Sequence, residues 1–168
     1  MSNVALRKAT TMNRPHLLIA AAWLLQGAAW FLPTVTVLGG IIEPIAGWQA
    51  FIEASRLAWP NGGLNPWYEA MLAILSVVTT LFFILGSPWV VLRGTRSFQR
   101  ASASAAATAF VVNSHWYVTY RDGWKSDLHV GYFLWWWSFI LLAIGLFDLA
   151  RRSEAGGSTH GQVALLPR

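Results

Sequence analysis

The feature that most constrains this chain is the grouping of its apolar residues into four blocks, Leu17 to Leu38, Trp67 to Leu92, Ala101 to Val118 and Leu128 to Ala150. Each block is about the ~20 residues that a helix needs to cross the hydrocarbon core of a bilayer. Backbone inside lipid must satisfy its own hydrogen bonds, so segments of this kind are expected to be helical. The expected fold class is all-α, a polytopic membrane protein built as a four-transmembrane-helix bundle. Residues 1–152 would form one membrane domain and residues 153–168 a flexible tail. Composition points the same way: 11% of residues are charged, against roughly 25% in a soluble domain.

The basic residues set the expected orientation. Arg7, Lys8 and Arg14 precede the first block, Arg93, Arg96 and Arg100 lie between the second and third, and Arg151, Arg152 and Arg168 follow the fourth. The other side holds only Arg56, Arg121 and Lys125, against Glu43, Glu53, Glu69, Asp122 and Asp127. By the positive-inside rule both termini are cytoplasmic. The net charge of +5 is thus a topological feature, and no nucleic-acid partner is inferred from it. The first block continues through Trp30, Phe31 and Leu32 with no small-x-small cleavage pattern, which predicts a retained span rather than a secretory signal.

The third block is the least apolar. Ala101, Ala105 and Ala109 fall four residues apart, a spacing that predicts a small-residue face for close helix packing. Gln26, Thr80 and Ser138 come near mid-span when each block is counted from its charged end, which predicts hydrogen bonds between helices. No ionisable residue sits at that depth, so a transport path is disfavoured. Apart from Glu69 at the start of the second block, Asp148 is the one acid within a block and is expected to pair locally with Arg151 or Arg152. The Gly86-Ser87-Pro88 run predicts a kink or helix end.

The stretch from 39 to 66 is the only long connection. Trp48, Phe51, Ile52, Ser55 and Trp59 recur at helical spacing, opposite Gln49, Glu53 and Arg56, which predicts a short amphipathic helix lying in the outer interface. Pro60 to Gly63 would end it, and Asn65 with Pro66 would cap the second span.

Eleven tryptophans is a high number for 168 residues. Trp48, Trp59, Trp116, Trp124, Trp135, Trp136 and Trp137, with Phe51, all fall on the outer side. An interfacial aromatic belt accounts for such a distribution; the sharper expectation is a surface for an amphiphilic ligand or another membrane subunit. Trp135, Trp136 and Trp137 are about 100° apart on a helix. One must therefore face outward while another packs inward.

The chain contains no cysteine, which removes thiol–disulfide exchange and Cys-ligated metals. His115 and His129 fall in the same leaflet, so two helices could offer axial nitrogens to one haem or chlorin ring. No cofactor is otherwise implied. The leading functional expectation is a non-catalytic accessory, assembly or partner-binding subunit, its partners the lipid bilayer and another membrane protein or a second copy. The alternative is a redox or pigment subunit holding a haem, chlorin or quinone through His115 and His129.

The run Gly131-Tyr132-Phe133-Leu134-Trp135-Trp136-Trp137-Ser138-Phe139, with the Gly47-Trp48-x-x-Phe51 loop helix, resembles small bacterial four-helix inner-membrane proteins. That resemblance implies a multi-pass chain in the bacterial inner membrane and no particular chemistry.

Overall fold

The computed structural model describes residues 14–37, 43–57, 67–120 and 126–162. Arg7, Lys8, Gly39-Gly40, Trp59, Pro60 to Gly63, the Asn65-Pro66 cap, Asp122, Trp124 and the last six residues lie outside them. The described chain forms five helices: α1 (Arg14–Phe31), α2 (Gly47–Leu57), α3 (Trp67–Arg93), α4 (Arg96–Tyr120) and α5 (Val130–Gln162). Three short strands accompany them, β1 (Pro33–Val37), β2 (Pro44–Ala46) and β3 (Ser126–Leu128). α5 packs against both α1 and α4, and α4 against α3.

Two of these helices, α3 and the Val130–Arg152 part of α5, are long and apolar enough to cross a membrane. At 1.5 Å per residue α3 is about 40 Å long and that part of α5 about 35 Å. α1, of 18 residues, reaches about 27 Å and carries Arg14, His16 and Gln26. α4 is longer but rich in Ala, Ser and polar side chains.

The distribution of side chains is the reverse of that in a water-soluble bundle. The interior is small or polar: Ala22, Ala103, Ala106, Ala109, Ala143, Ser87, Ser138, Gln26 and Asn113 are all buried. The exterior is large and apolar, with Leu24, Phe31, Trp67, Leu85, Leu92, Val111 and Val118 each at least 66% exposed. Only a few bulky groups enter the core, among them Ile19, Phe83, Phe139, Leu142 and Leu146. Phe83 and Phe139 meet edge to face at 5.3 Å.

Several sequence expectations change on contact with the structure. The first block is not helical to Leu38: Pro33 excludes the α region for the residue before it, and the β-branched Thr34-Val35-Thr36-Val37 run is extended. β1 is the centre of a β2-β1-β3 antiparallel sheet, with Val35 opposite both Ile45 and Leu128. The fold is therefore mostly helical rather than all-α. The packed face of α4 is also not the one expected. Ala101 and Ala105 are exposed and only Ala109 is buried; the inward row runs through Gln99, Ser102, Ala106, Ala109 and Asn113. Asp148 pairs across helices with Arg14, at 3.7 Å, while Arg151 lies over the Phe147 ring. As backbone, α5 runs on to Gln162, into the segment whose Gly and Ser content predicts a linker.

The Gly86-Ser87-Pro88 run does not end its helix. A π turn over Phe82–Gly86 shifts the ladder by one residue, so that the Ser87 N–H donates to the Phe82 carbonyl ahead of Pro88, which has no N–H to give. The buried Ser87 hydroxyl donates to the Phe83 carbonyl and accepts from the Trp23 indole at 2.9 Å, joining α3 to α1.

Candidate functional site

The sheet closes one end of the bundle, and α2 packs beside it and against α3. Their placement is local in origin. Gln49 reaches back to accept the Ala46 N–H at 2.9 Å, which starts α2 directly after β2. The Gly47 N–H donates to the Leu32 carbonyl. A Cβ on Gly47 would sit 2.1 Å from the Ala29 carbonyl oxygen, so only glycine allows α2 to begin this close to the end of α1.

Beneath this roof is a cavity of about 180 Å³. Its walls are Trp30 from α1, Phe51 and Ala54 from α2, Val77 and Thr80 from α3, Trp116 from α4, and Tyr132 and Trp135 from α5, with Thr34, Val35, Ile45 and Leu128 from the sheet. Trp30 and Phe51 touch at 5.5 Å between ring centres. Ser76 and Thr80 supply a polar floor, and Glu53 reaches the rim, where it pairs with Arg56 at 2.7 Å.

The floor belongs to a network that ties four helices. Ser76 donates to Asn113 Oδ1 at 2.7 Å, Asn113 Nδ2 donates to Thr79 at 3.1 Å, and the Trp116 indole donates to Ser76 at 2.8 Å. The Tyr132 hydroxyl donates to the Asn113 carbonyl at 2.9 Å. Thr80 donates to the Ser76 carbonyl and accepts from the Trp135 indole at 3.2 Å. Ser138 lies 2.7 Å from Gln26 Oε1 and 2.6 Å from the Trp135 carbonyl. Gln26, Ser138 and Thr80 are thus linked through Trp135. Gln26 Nε2 is buried with no hydrogen-bond partner among the described residues.

The aromatic residues singled out in the sequence do not form one surface. Trp116, Trp135 and Phe51 face the cavity. Trp136 stacks on Phe110 at 4.5 Å and donates its N–H to the Phe110 carbonyl. Trp48 and Trp137 are exposed. The three consecutive tryptophans therefore point to the cavity, to α4 and outward. On α2 the inward stripe is Gly47, Ala50, Phe51 and Ala54, whereas Trp48 and Ile52 are exposed. The apolar face is thus wider than the spacing of Trp48 and Ile52 implies.

His115 and His129 are engaged separately. His115 Nδ1 donates to the Val112 carbonyl at 2.8 Å and its ring lies against Trp116. His129 Nε2 is 2.6 Å from the Thr36 hydroxyl, and the His129 backbone N–H donates to the Thr34 carbonyl, which makes His129 a clasp between the start of α5 and β1. Neither imidazole lines the cavity. Among the described residues no three His, Asp or Glu side chains come together as a metal site.

Sequence reasoning missed Trp30, Ser76, Asn113 and Tyr132 as members of this site. The polar ones were legible only as polar residues in apolar blocks. Compared with known proteins, the chain matches no family model, and no curated protein or solved structure resembles it significantly.

Proposed function

We propose that this chain is a four-span protein of the bacterial inner membrane, both termini cytoplasmic, that serves as a non-catalytic accessory or partner-binding subunit through its outer, sheet-capped end. The observation that carries this reading is the reversed burial. An exterior of large apolar side chains around an interior of small and hydrogen-bonded ones is stable when the surroundings are lipid, because helices in lipid associate through close packing and polar contacts rather than through burial of apolar area. In water the same exterior would be an extended aggregation surface.

α1 and α4 are the less apolar spans, and each turns an amide side chain into the bundle: Gln26 meets Ser138 and Asn113 meets Ser76. The arginines at the loop between α3 and α4 mark the cytoplasmic side. Trp48 and Ile52 then form an exposed apolar strip on the roof helix, next to the charged Glu53–Arg56 pair, suited to the membrane interface or a partner's span. Binding is favoured over chemistry because the hydroxyls of the cavity floor are held in structural hydrogen bonds rather than beside a general base.

The natural absence of cysteine permits a direct test. Single cysteines replacing Glu53 and Thr95 should react with an impermeant maleimide from opposite sides of the inner membrane; labelling from the same side would refute the topology. Replacing Trp48 and Ile52 together with alanine should remove a stoichiometric partner, or a second copy, from the chain purified in mild detergent. Unchanged association would refute the binding role of that strip.

A further inference from the structure

The cavity beneath α2 differs from an ordinary packing defect in both size and chemistry. An engineered apolar cavity of about 150 Å³ takes up one benzene ring; this one is about 180 Å³, room for one ring or a branched stub of similar bulk. Aromatic rings on three sides suit a flat apolar group.

The polar groups of the lining are what select further. All four of its hydroxyls already donate inside the protein: Ser76 to Asn113, Thr80 to the Ser76 carbonyl, Thr34 to the Leu32 carbonyl and Tyr132 to the Asn113 carbonyl. The Trp116 and Trp135 indoles donate to Ser76 and Thr80. A hydroxyl that donates once and accepts once keeps one lone pair. These side chains therefore offer an occupant acceptors, and the ionisable group at the rim, Glu53, is an acceptor as well.

We infer that the cavity is a binding site for the ring-sized head of a neutral amphiphile that carries a hydroxyl donor, a phenol, quinol or cyclic alcohol, in preference to the matching ether or carbonyl compound. This deepens the reading of the capped end as an outer-leaflet binding site and rests on it. The head enters under α2, its ring lies between Trp30, Trp116 and Trp135, and its O–H meets the lone pairs of Ser76 or Thr80. A tail would run out past α2 into the lipid.

The test uses the full chain in phosphatidylcholine nanodiscs and two matched probes, 4-propylphenol and 4-propylanisole, followed by titration calorimetry. The ether replaces the phenol's single donor hydrogen with a methyl group; a neutral hydrogen bond is worth up to about tenfold in affinity. Saturable binding of the phenol at least several-fold tighter than that of the ether is expected. Ala54→Leu fills the cavity from the roof without touching the floor network, and should abolish both; signal that persists in it is partitioning into lipid. Thr80→Val keeps the shape and removes one acceptor, so the phenol should fall toward the ether. Equal affinity for the two probes would overturn the donor selection, and no saturable binding of either would overturn the site. Neither result bears on the maleimide topology or on partner co-purification, which test the broader reading separately.

Discussion

Asn113 and Ser76 provide the strictest test of the argument that polar contacts, rather than apolar burial, hold this bundle together. Asn113 is fully buried, and its side chain joins α4 to α3 at two points, Ser76 at 2.7 Å and Thr79 at 3.1 Å. Asn113→Ala removes both bonds and leaves the Ser76 hydroxyl without its acceptor. Ser76→Ala removes one of them and deprives the Trp116 indole of its partner. Within a membrane each such bond contributes about 0.6 kcal/mol on average and up to about 1.7. Asn113→Ala should therefore cost about 1–3 kcal/mol, the range of two such bonds. A double-mutant cycle isolates the shared contact. The coupling expected between Ser76→Ala and Asn113→Ala is about 0.6–1.7 kcal/mol, a factor of roughly 3 to 20 in the unfolding equilibrium. The assay is reversible unfolding in mixed detergent micelles, followed by tryptophan fluorescence. Strict additivity of the two substitutions would refute the claim that this hydrogen bond stabilises the α3–α4 contact.

Gly145 on α5 faces α1 so closely that a Cβ would lie 2.7 Å from Ile19 Cγ1 and 3.2 Å from the Ile19 nitrogen. Gly145→Val should destabilise by about 1–3 kcal/mol through overpacking, while Gly27→Ala, with nothing within 4 Å, should be neutral or stabilising by about 0.5–1 kcal/mol; thermal unfolding of the two variants in the same detergent compares the signs. Gly47→Ala should push α2 away from the end of α1, raising amide hydrogen exchange across residues 47–57 while leaving the α1–α5 core protected. Equal exchange in the two proteins would mean that the Ala29 carbonyl does not set the position of the roof.

Part of the fold is legible in one dimension because long apolar runs favour helices whatever they later pack against. The boundaries of α3 and the start of α5 follow from apolar runs, whereas α5 continues past its run to Gln162. The division of Trp135, Trp136 and Trp137 among three environments follows from the 100° step of a helix. What the sequence did not disclose is mostly pairing. Thr34 to Val37 are as apolar and β-branched as the end of a span; Pro33 breaks the helix before them, and pairing with Ile45 nearby and Leu128 far along the chain makes them a strand. The α4 face was misassigned because Ala and Ser alternate all round that helix, so small residues alone carry no direction. Asn113, one turn beyond Ala109, marks the inward side, and that becomes visible only once Ser76 is opposite it.

The candidate site divides in the same way. Tryptophan distribution led only to the expectation of an aromatic surface on the outer side. The site's character as a cavity with acceptor atoms on the floor depends on which donors are already engaged. By itself, the sequence determined the number and length of the apolar segments, their charged ends and the lack of thiol chemistry, since these are sums over neighbouring residues. The tertiary structure alone decided that β1 pairs with β3, that Asp148 answers Arg14, and that the Ser76 and Tyr132 hydroxyls turn their hydrogens to Asn113. Each of those depends on the distance between residues that are remote in the chain, which no local pattern encodes.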